Sequence, residues 1–145
     1  MHTWSSNWAW ALPLIVLSVV IHASGLALMN ERVGRLMHPV ERRGLIRRFA
    51  LVMSIITVVA TALHGFEAIV WAAAFRWLGA LPDNKTAMLY SLSAMTTYGH
   101  ANVFLKSEWQ MMGALEALNG MLLFGLTTAF MFAMIQRVWP SAAKG

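Results

Sequence analysis

No cysteine occurs among the 145 residues, which excludes disulfides and thiolate metal sites and leaves the redox compartment unmarked. Charge is nearly as scarce. Asp, Glu, Lys and Arg make up 12% of the chain, against about 25% in an ordinary soluble globular protein. With 59% hydrophobic residues and a mean hydropathy of +0.60, too little polar surface is left to cover a water-facing fold. No internal repeat, low-complexity tract or linker divides the chain, whose length fits one domain. No nucleophile–base arrangement, phosphate loop or carboxylate pair placed for chemistry is visible, so no enzyme is expected. The net charge of +5 would suit nucleic acid, but six of the eleven Lys and Arg residues crowd into positions 30–48. That clustering reads as membrane topology, and no nucleic-acid partner is expected.

What the sequence does contain is three apolar stretches, at residues 8–29, 49–78 and 111–138. Each reaches the roughly 20 residues that a helix needs to cross a hydrocarbon core, and only helices can do so without exposing backbone polar groups to lipid. Arg32, Arg35, Arg42, Arg43, Arg47 and Arg48 lie between the first two stretches, and Arg137 and Lys144 follow the third. The other side holds only Arg76, Lys85 and Lys106. The positive-inside rule then places the N-terminus outside and the C-terminus in the cytoplasm of a multi-pass inner-membrane protein. Trp4, Trp8, Trp10, Trp71, Trp77 and Trp109 would sit at the outer interface. Ala23-Ser24-Gly25 could pass as a signal cleavage site, but no basic segment precedes it and the arginines follow, so the first stretch is expected to remain. Apolar residues recurring among the arginines between positions 33 and 49 suggest an amphipathic segment on the inner surface, broken near Pro39, in contact with membrane lipids.

Between the second and third stretches, Pro82-Asp83-Asn84 reads as a turn. Asn84 or Thr86 can cap a short helix over 86–95, too short to span and too apolar for a free loop. Such a segment is tolerated inside a membrane only where protein or a water-filled cavity covers it. It leads into Thr96-Thr97-Tyr98-Gly99-His100-Ala101-Asn102. A helix entering from outside would point its C-terminal, partially negative end inward, where it favours a cation.

Several segments carry a resemblance: His64-Gly65-Phe66-Glu67-Ala68-Ile69-Val70-Trp71-Ala72, Tyr90-Ser91-Leu92, Thr96-Thr97, Glu108-Trp109, and the run from Leu115-Glu116-Ala117-Leu118-Asn119-Gly120 to Gly125. Their order is similar to the pore module of potassium channels, in particular small bacterial members of the two-transmembrane ion-channel superfamily. The likeness covers about residues 49–138. It divides the chain into an added N-terminal helix with its arginine-rich segment (1–48), the pore module (49–138) and a short tail (139–145). The resemblance implies an all-α membrane fold of three transmembrane helices with a re-entrant pore helix. It further implies a homotetramer around a central pore and potassium or another monovalent cation as the permeant ion, with no cofactor. In such a filter, backbone carbonyls replace the ion's hydration shell.

Carried over by position, the pattern Thr-Val-Gly-Tyr-Gly-Asp falls on Thr97, Tyr98, Gly99, His100, Ala101 and Asn102, preceded by Thr96. Only Thr97 and Gly99 match. Ala101 stands where Gly would give free access to positive φ, at a cost of about 1–2 kcal/mol per copy. His100 adds a group with an ordinary pKa of about 6.5 near the outer mouth, which suggests acid sensitivity, and Asn102 removes a ring of negative charge. Weak or altered selectivity is therefore expected. Glu67 and Glu116 are costly within spans and should face the interior as filter support, hydrogen-bonding the filter backbone, together with His64. Asn119, Thr127 and Thr128 are expected to line an inner cavity. Two other readings compete. A divergent filter suits a non-conducting accessory subunit of a channel. His22 and His64 in spans suggest a small haem-binding subunit, although at 1.5 Å per residue they would stand about 10 and about 24 Å from the inner ends of their helices.

Overall fold

The computed structural model describes residues 3–36, 45–99 and 102–138, and all regular structure among them is helical. Helix α1 (Thr3–Leu36), α2 (Leu45–Trp77) and α4 (Gln110–Val138) are long. Helix α3 (Asn84–Met95) is short, and a 3₁₀ turn, Ser107–Trp109, introduces α4. Leu, Ala, Met, Ile and Val fill the long helices, where every interior backbone group bonds within its own segment. Trp4–Val33, Ile46–Trp77 and Ser107–Arg137 are each long and apolar enough to cross a membrane. Only 22%, 17% and 28% of their most apolar windows are buried, so most of the apolar surface faces outward. A protein in water inverts this arrangement.

The helices overrun the boundaries expected from sequence. The amphipathic surface segment expected between positions 33 and 49 is shorter than that, for α1 continues to Leu36 and α2 already begins at Leu45. Arg32, Arg35, Arg47 and Arg48 therefore extend the two long helices, because charge alone does not stop a helix that has good formers around it. Residues 37–44, with Pro39, Arg42 and Arg43, lie outside the described residues, as do His100 and Ala101.

Polar bonds fix how the long helices slide against one another. At one end Asn7 Nδ2 donates to the Glu108 carbonyl at 2.6 Å and Asn7 Oδ1 accepts from the Met112 N–H at 2.8 Å. At the other, Arg137 donates to Asn30 Oδ1 at 2.8 Å. Between them His22 meets Thr127. The sequence separations of these contacts, 105 at Asn7–Met112, 105 at His22–Thr127 and 107 at Asn30–Arg137, hold α1 and α4 parallel along their full length. Helix α2 runs antiparallel to both. Trp71 donates its indole N–H to Ser18 Oγ at 3.1 Å, and Trp10 approaches Trp77 with ring centroids 6.2 Å apart. Trp71 was expected at the membrane interface. It is fully buried instead, in a core with Phe75, Ala11, Met112 and Leu105, since that indole bond lets the ring leave water at little cost.

Helix α3 lies against α2 and α4. Its cap is Asp83, not Asn84 or Thr86. The Asp83 carboxylate accepts from the Thr86 N–H at 2.9 Å and from the Thr86 hydroxyl at 2.7 Å, the geometry a side chain three residues upstream provides. Met95, at its other end, packs with Ala68 and Leu123. A Cβ on Gly120 would collide with the Met95 backbone, so glycine is what lets α3 and α4 come this close.

Candidate functional site

Helix α3 ends partway along its neighbours. Gly120, against which Met95 rests, is ten residues into α4, about 15 Å from its start at 1.5 Å per residue. The chain turns there and climbs back, for the Lys106 N–H donates to the Ala80 carbonyl near the start of α3. Two bonds close the turn: Tyr98 N–H to the Ser93 carbonyl at 2.9 Å and Thr97 N–H to the Ala94 carbonyl at 3.0 Å. This is a Schellman ending, which places one residue in the left-handed region. Here that residue is Thr97, with φ +56, followed by Gly99 at +67. Gly99 adopts this freely, but a β-branched residue there stores on the order of 1–3 kcal/mol. Thr96, Thr97, Tyr98 and Gly99 are exposed, Tyr98 at 77%. No basic residue occupies the last turn of α3, so nothing in that turn offsets the helix's negative end.

A second polar feature lies inside the long helices. His22 of α1 and Glu67 of α2 are fully buried, with His22 Nδ1 2.8 Å from Glu67 Oε1. His64, one turn before Glu67, places Nδ1 3.2 Å from Glu67 Oε2, yet neither of those two atoms has a hydrogen-bond partner of good geometry. Thr127 of α4 closes the ring: its hydroxyl oxygen is 2.9 Å from His22 Nε2 and 3.1 Å from His64 Nε2. The two imidazoles are 4.9 Å apart between centroids, and His64 stacks on Phe124 at 4.2 Å. Proton counting limits the ring's charge. A hydroxyl has one proton to donate, so if Thr127 donates to one Nε2 and accepts from the other, the second ring carries a proton there. Its Nδ1 then either donates to ionised Glu67 or accepts from protonated Glu67. Both states carry no net charge, which an apolar surrounding tolerates far better than an isolated carboxylate. The same donors, one ligand atom each from His22, His64 and Glu67 within 4.8 Å of one another, could instead hold a metal ion.

A third group sits between α3 and α4. Glu116, Asn119 and Ser91 are fully buried, and both carboxyl oxygens, both amide atoms and the Ser91 hydroxyl lack hydrogen-bond partners among the described residues. Ser91 stands beside the Glu116 carboxyl, though no bond of good geometry joins them.

The site residues expected from sequence fall into these three places. Thr96, Thr97, Tyr98 and Gly99 form the turn after α3, and Asn102 is exposed on the return, whereas His100 and Ala101 lie outside the described residues. Glu67 and His64 do not support the turn's backbone: they bond to His22 and Thr127. Glu116 does flank α3, but without the expected backbone bond. The supposed cavity lining divides. Asn119 and Thr127 point inward and are buried, while Thr128, 100° further round the helix, is exposed and bonds to the Phe124 carbonyl. The depth argument that separated His22 from His64 also fails. Measured from the observed ends, His22 is fourteen residues from Leu36 and His64 nineteen from Leu45, about 21 and 28 Å, and their side chains close the remainder. His22 as the partner of Glu67, and Thr127 as the partner of both histidines, were missed. A signal existed in α1, where Asn7, Ala11, Ser18 and His22 share one buried stripe of an otherwise apolar helix. No known family model, curated protein or solved structure matches the chain.

Proposed function

We propose that the chain is a subunit of a cation channel of potassium-channel type. In this reading four copies surround one axis, α3 is a re-entrant pore helix, and residues 96–102 line the ion path. The N-terminus lies outside and the C-terminus in the cytoplasm.

One observation carries this: α3 ends about 15 Å below the start of α4 in an exposed, polar, strained turn. If the three long helices cross a membrane, that turn lies well inside the hydrocarbon. Exposed hydroxyls and backbone N–H and C=O groups are not tolerated against lipid at such depth. They must be covered by further copies of the chain or line water. The negative end of α3 and the hydroxyls of Thr96 and Thr97 suit a cation there. The haem reading gains nothing from the paired histidines, since both Nε2 atoms converge on one hydroxyl and leave no room for a porphyrin between the rings.

The test is flux from liposomes reconstituted with the purified chain, comparing potassium, sodium and protons, with a His100→Tyr, Ala101→Gly variant alongside. Potassium-favouring flux, raised in selectivity by the variant, is the expected result. Silence in both, with a folded oligomer confirmed, would remove the channel reading and favour a non-conducting accessory subunit.

A further inference from the structure

We propose that His22, His64 and Glu67 bind one divalent transition-metal ion of the zinc class, clamping the N-terminal helix to α2. The proposal is independent of ion conduction. It starts from a defect in the hydrogen bonding. Glu67 Oε2 and His64 Nδ1 face each other at 3.2 Å inside the helices, yet neither finds a hydrogen bond. Buried polar atoms almost always have partners, and an exception asks for an explanation such as an ion.

The distances fit a metal. Zinc sits about 2.0–2.1 Å from imidazole nitrogen and carboxylate oxygen, in tetrahedral geometry, so neighbouring ligand atoms stand about 3.3 Å apart. The observed separations are 3.2 Å from His64 Nδ1 to Glu67 Oε2 and 2.8 Å from His22 Nδ1 to the other carboxylate oxygen, Oε1, and one ligand atom from each of the three residues lies within 4.8 Å of the other two. Small side-chain adjustments close the set. His64 and Glu67 are three apart on α2 and share its face, while His22 arrives at the same level from α1.

The outer contacts point the same way. Metal-bound imidazoles usually donate their second N–H to a fixed acceptor, which sets the tautomer. Thr127 does this for both rings: its oxygen has two lone pairs and lies within hydrogen-bond distance of both Nε2 atoms. With those nitrogens protonated, both Nδ1 lone pairs face Glu67, where the ion would be. Two imidazoles and one carboxylate favour zinc, cobalt or nickel over magnesium or calcium, which prefer all-oxygen sites. Three protein ligands leave the fourth position for solvent, and His64, with 12% of its side chain exposed, is the open side.

The experiment uses the full chain, purified free of metal, with Co²⁺ as an optical probe and Zn²⁺ as competitor. One equivalent of Co²⁺ per chain with tetrahedral visible bands, displaced by Zn²⁺, is expected. Binding should fall by about 100-fold or more in His22→Gln and His64→Gln and by about 10–100-fold in Thr127→Val, and stay unchanged in Glu116→Gln. If the histidine variants do not fold, imidazole ¹⁵N shifts of the wild type replace them: Zn²⁺ must move Nδ1, not Nε2, of two histidines. No Co²⁺ or Zn²⁺ binding at micromolar concentration overturns the proposal. So does binding that survives both histidine substitutions, or ¹⁵N shifts that leave every Nδ1 in place.

Discussion

Glu67 is the buried charge-bearing group that joins α2 to α1 in the interior of the long helices. Its carboxyl is removed from solvent and held by His22 at 2.8 Å, with His64 close to its other oxygen. Breaking a buried pair by deleting one partner leaves the other desolvated and uncompensated, at about 3–5 kcal/mol. His22→Ala should therefore cost about that much in reversible unfolding from detergent micelles. Glu67→Gln, which keeps the shape and one acceptor, should cost less. A His22→Ala variant as stable as the parent would mean that the ring is ornamental. That Glu67 and Glu116 would face the interior was legible from sequence, because an ionisable group in an apolar run has few alternatives. Which residues Glu67 would meet there was not legible, and Glu116 has no hydrogen-bond partner among the described residues. His22 and Glu67 are 45 positions apart and His22 and Thr127 are 105 apart, and helix ends expected at residues 29 and 49, where the structure has Leu36 and Leu45, were enough to place the two histidines at different depths.

Asp83 offers a residue whose charge can be followed. The Thr86 hydroxyl and then its backbone N–H hold the Asp83 carboxyl below its ordinary range. A carboxyl lowered on folding contributes stability that is complete above its unfolded value and is lost as pH falls through the lowered one. Amide protection in the first turn of α3 should thus persist through mild acid and disappear only below the ordinary aspartate range. In Asp83→Ala that protection should be weaker at every pH above this acid step, and the step itself should be lost. An unchanged step in the variant would assign it to another group.

Among the elements, α3 is the one whose position matters most, and Gly120 sets it. An added Cβ there meets the Met95 backbone, which cannot swing aside as a side chain would, whereas at Gly125 it meets nothing within 4 Å. Gly120→Ala should destabilise by about 1–3 kcal/mol or more through forced separation of α3 from α4. Gly125→Ala should be neutral, or stabilise by up to about 1 kcal/mol through helix propensity. Equal effects at the two positions in thermal unfolding would contradict the close packing of α3. The existence of α3 was readable from a short apolar run behind a turn, and its length was misjudged by only two residues. Its true cap, Asp83, was passed over within the turn Pro82-Asp83-Asn84. The left-handed Thr97 was not readable at all, because a Thr seldom takes that conformation and only the closing bonds to Ser93 and Ala94 require it.

For the whole molecule, composition carried most of the argument. Apolar runs of sufficient length, little charge and one arginine cluster anticipate three spanning-length helices, and the outward-facing apolar surface agrees. Their mutual register could not be anticipated, since it is set by isolated polar contacts at Asn7, Ser18, His22 and Asn30 that look incidental in the sequence. Assembly belongs to the proposed channel, in which further copies of the chain or water must meet the turn after α3. The most direct measurement exploits the missing cysteines. Tyr98→Cys and Val58→Cys, at positions 77% and 68% exposed in the single chain, would each be the sole thiol of a reconstituted protein and be treated with a membrane-impermeant cationic thiol reagent. A water-lined ion path at residues 96–102 predicts that Tyr98→Cys reacts and loses potassium flux while Val58→Cys, facing lipid, does neither. Equal silence at both positions, or modification of Tyr98→Cys that leaves flux untouched, would contradict it.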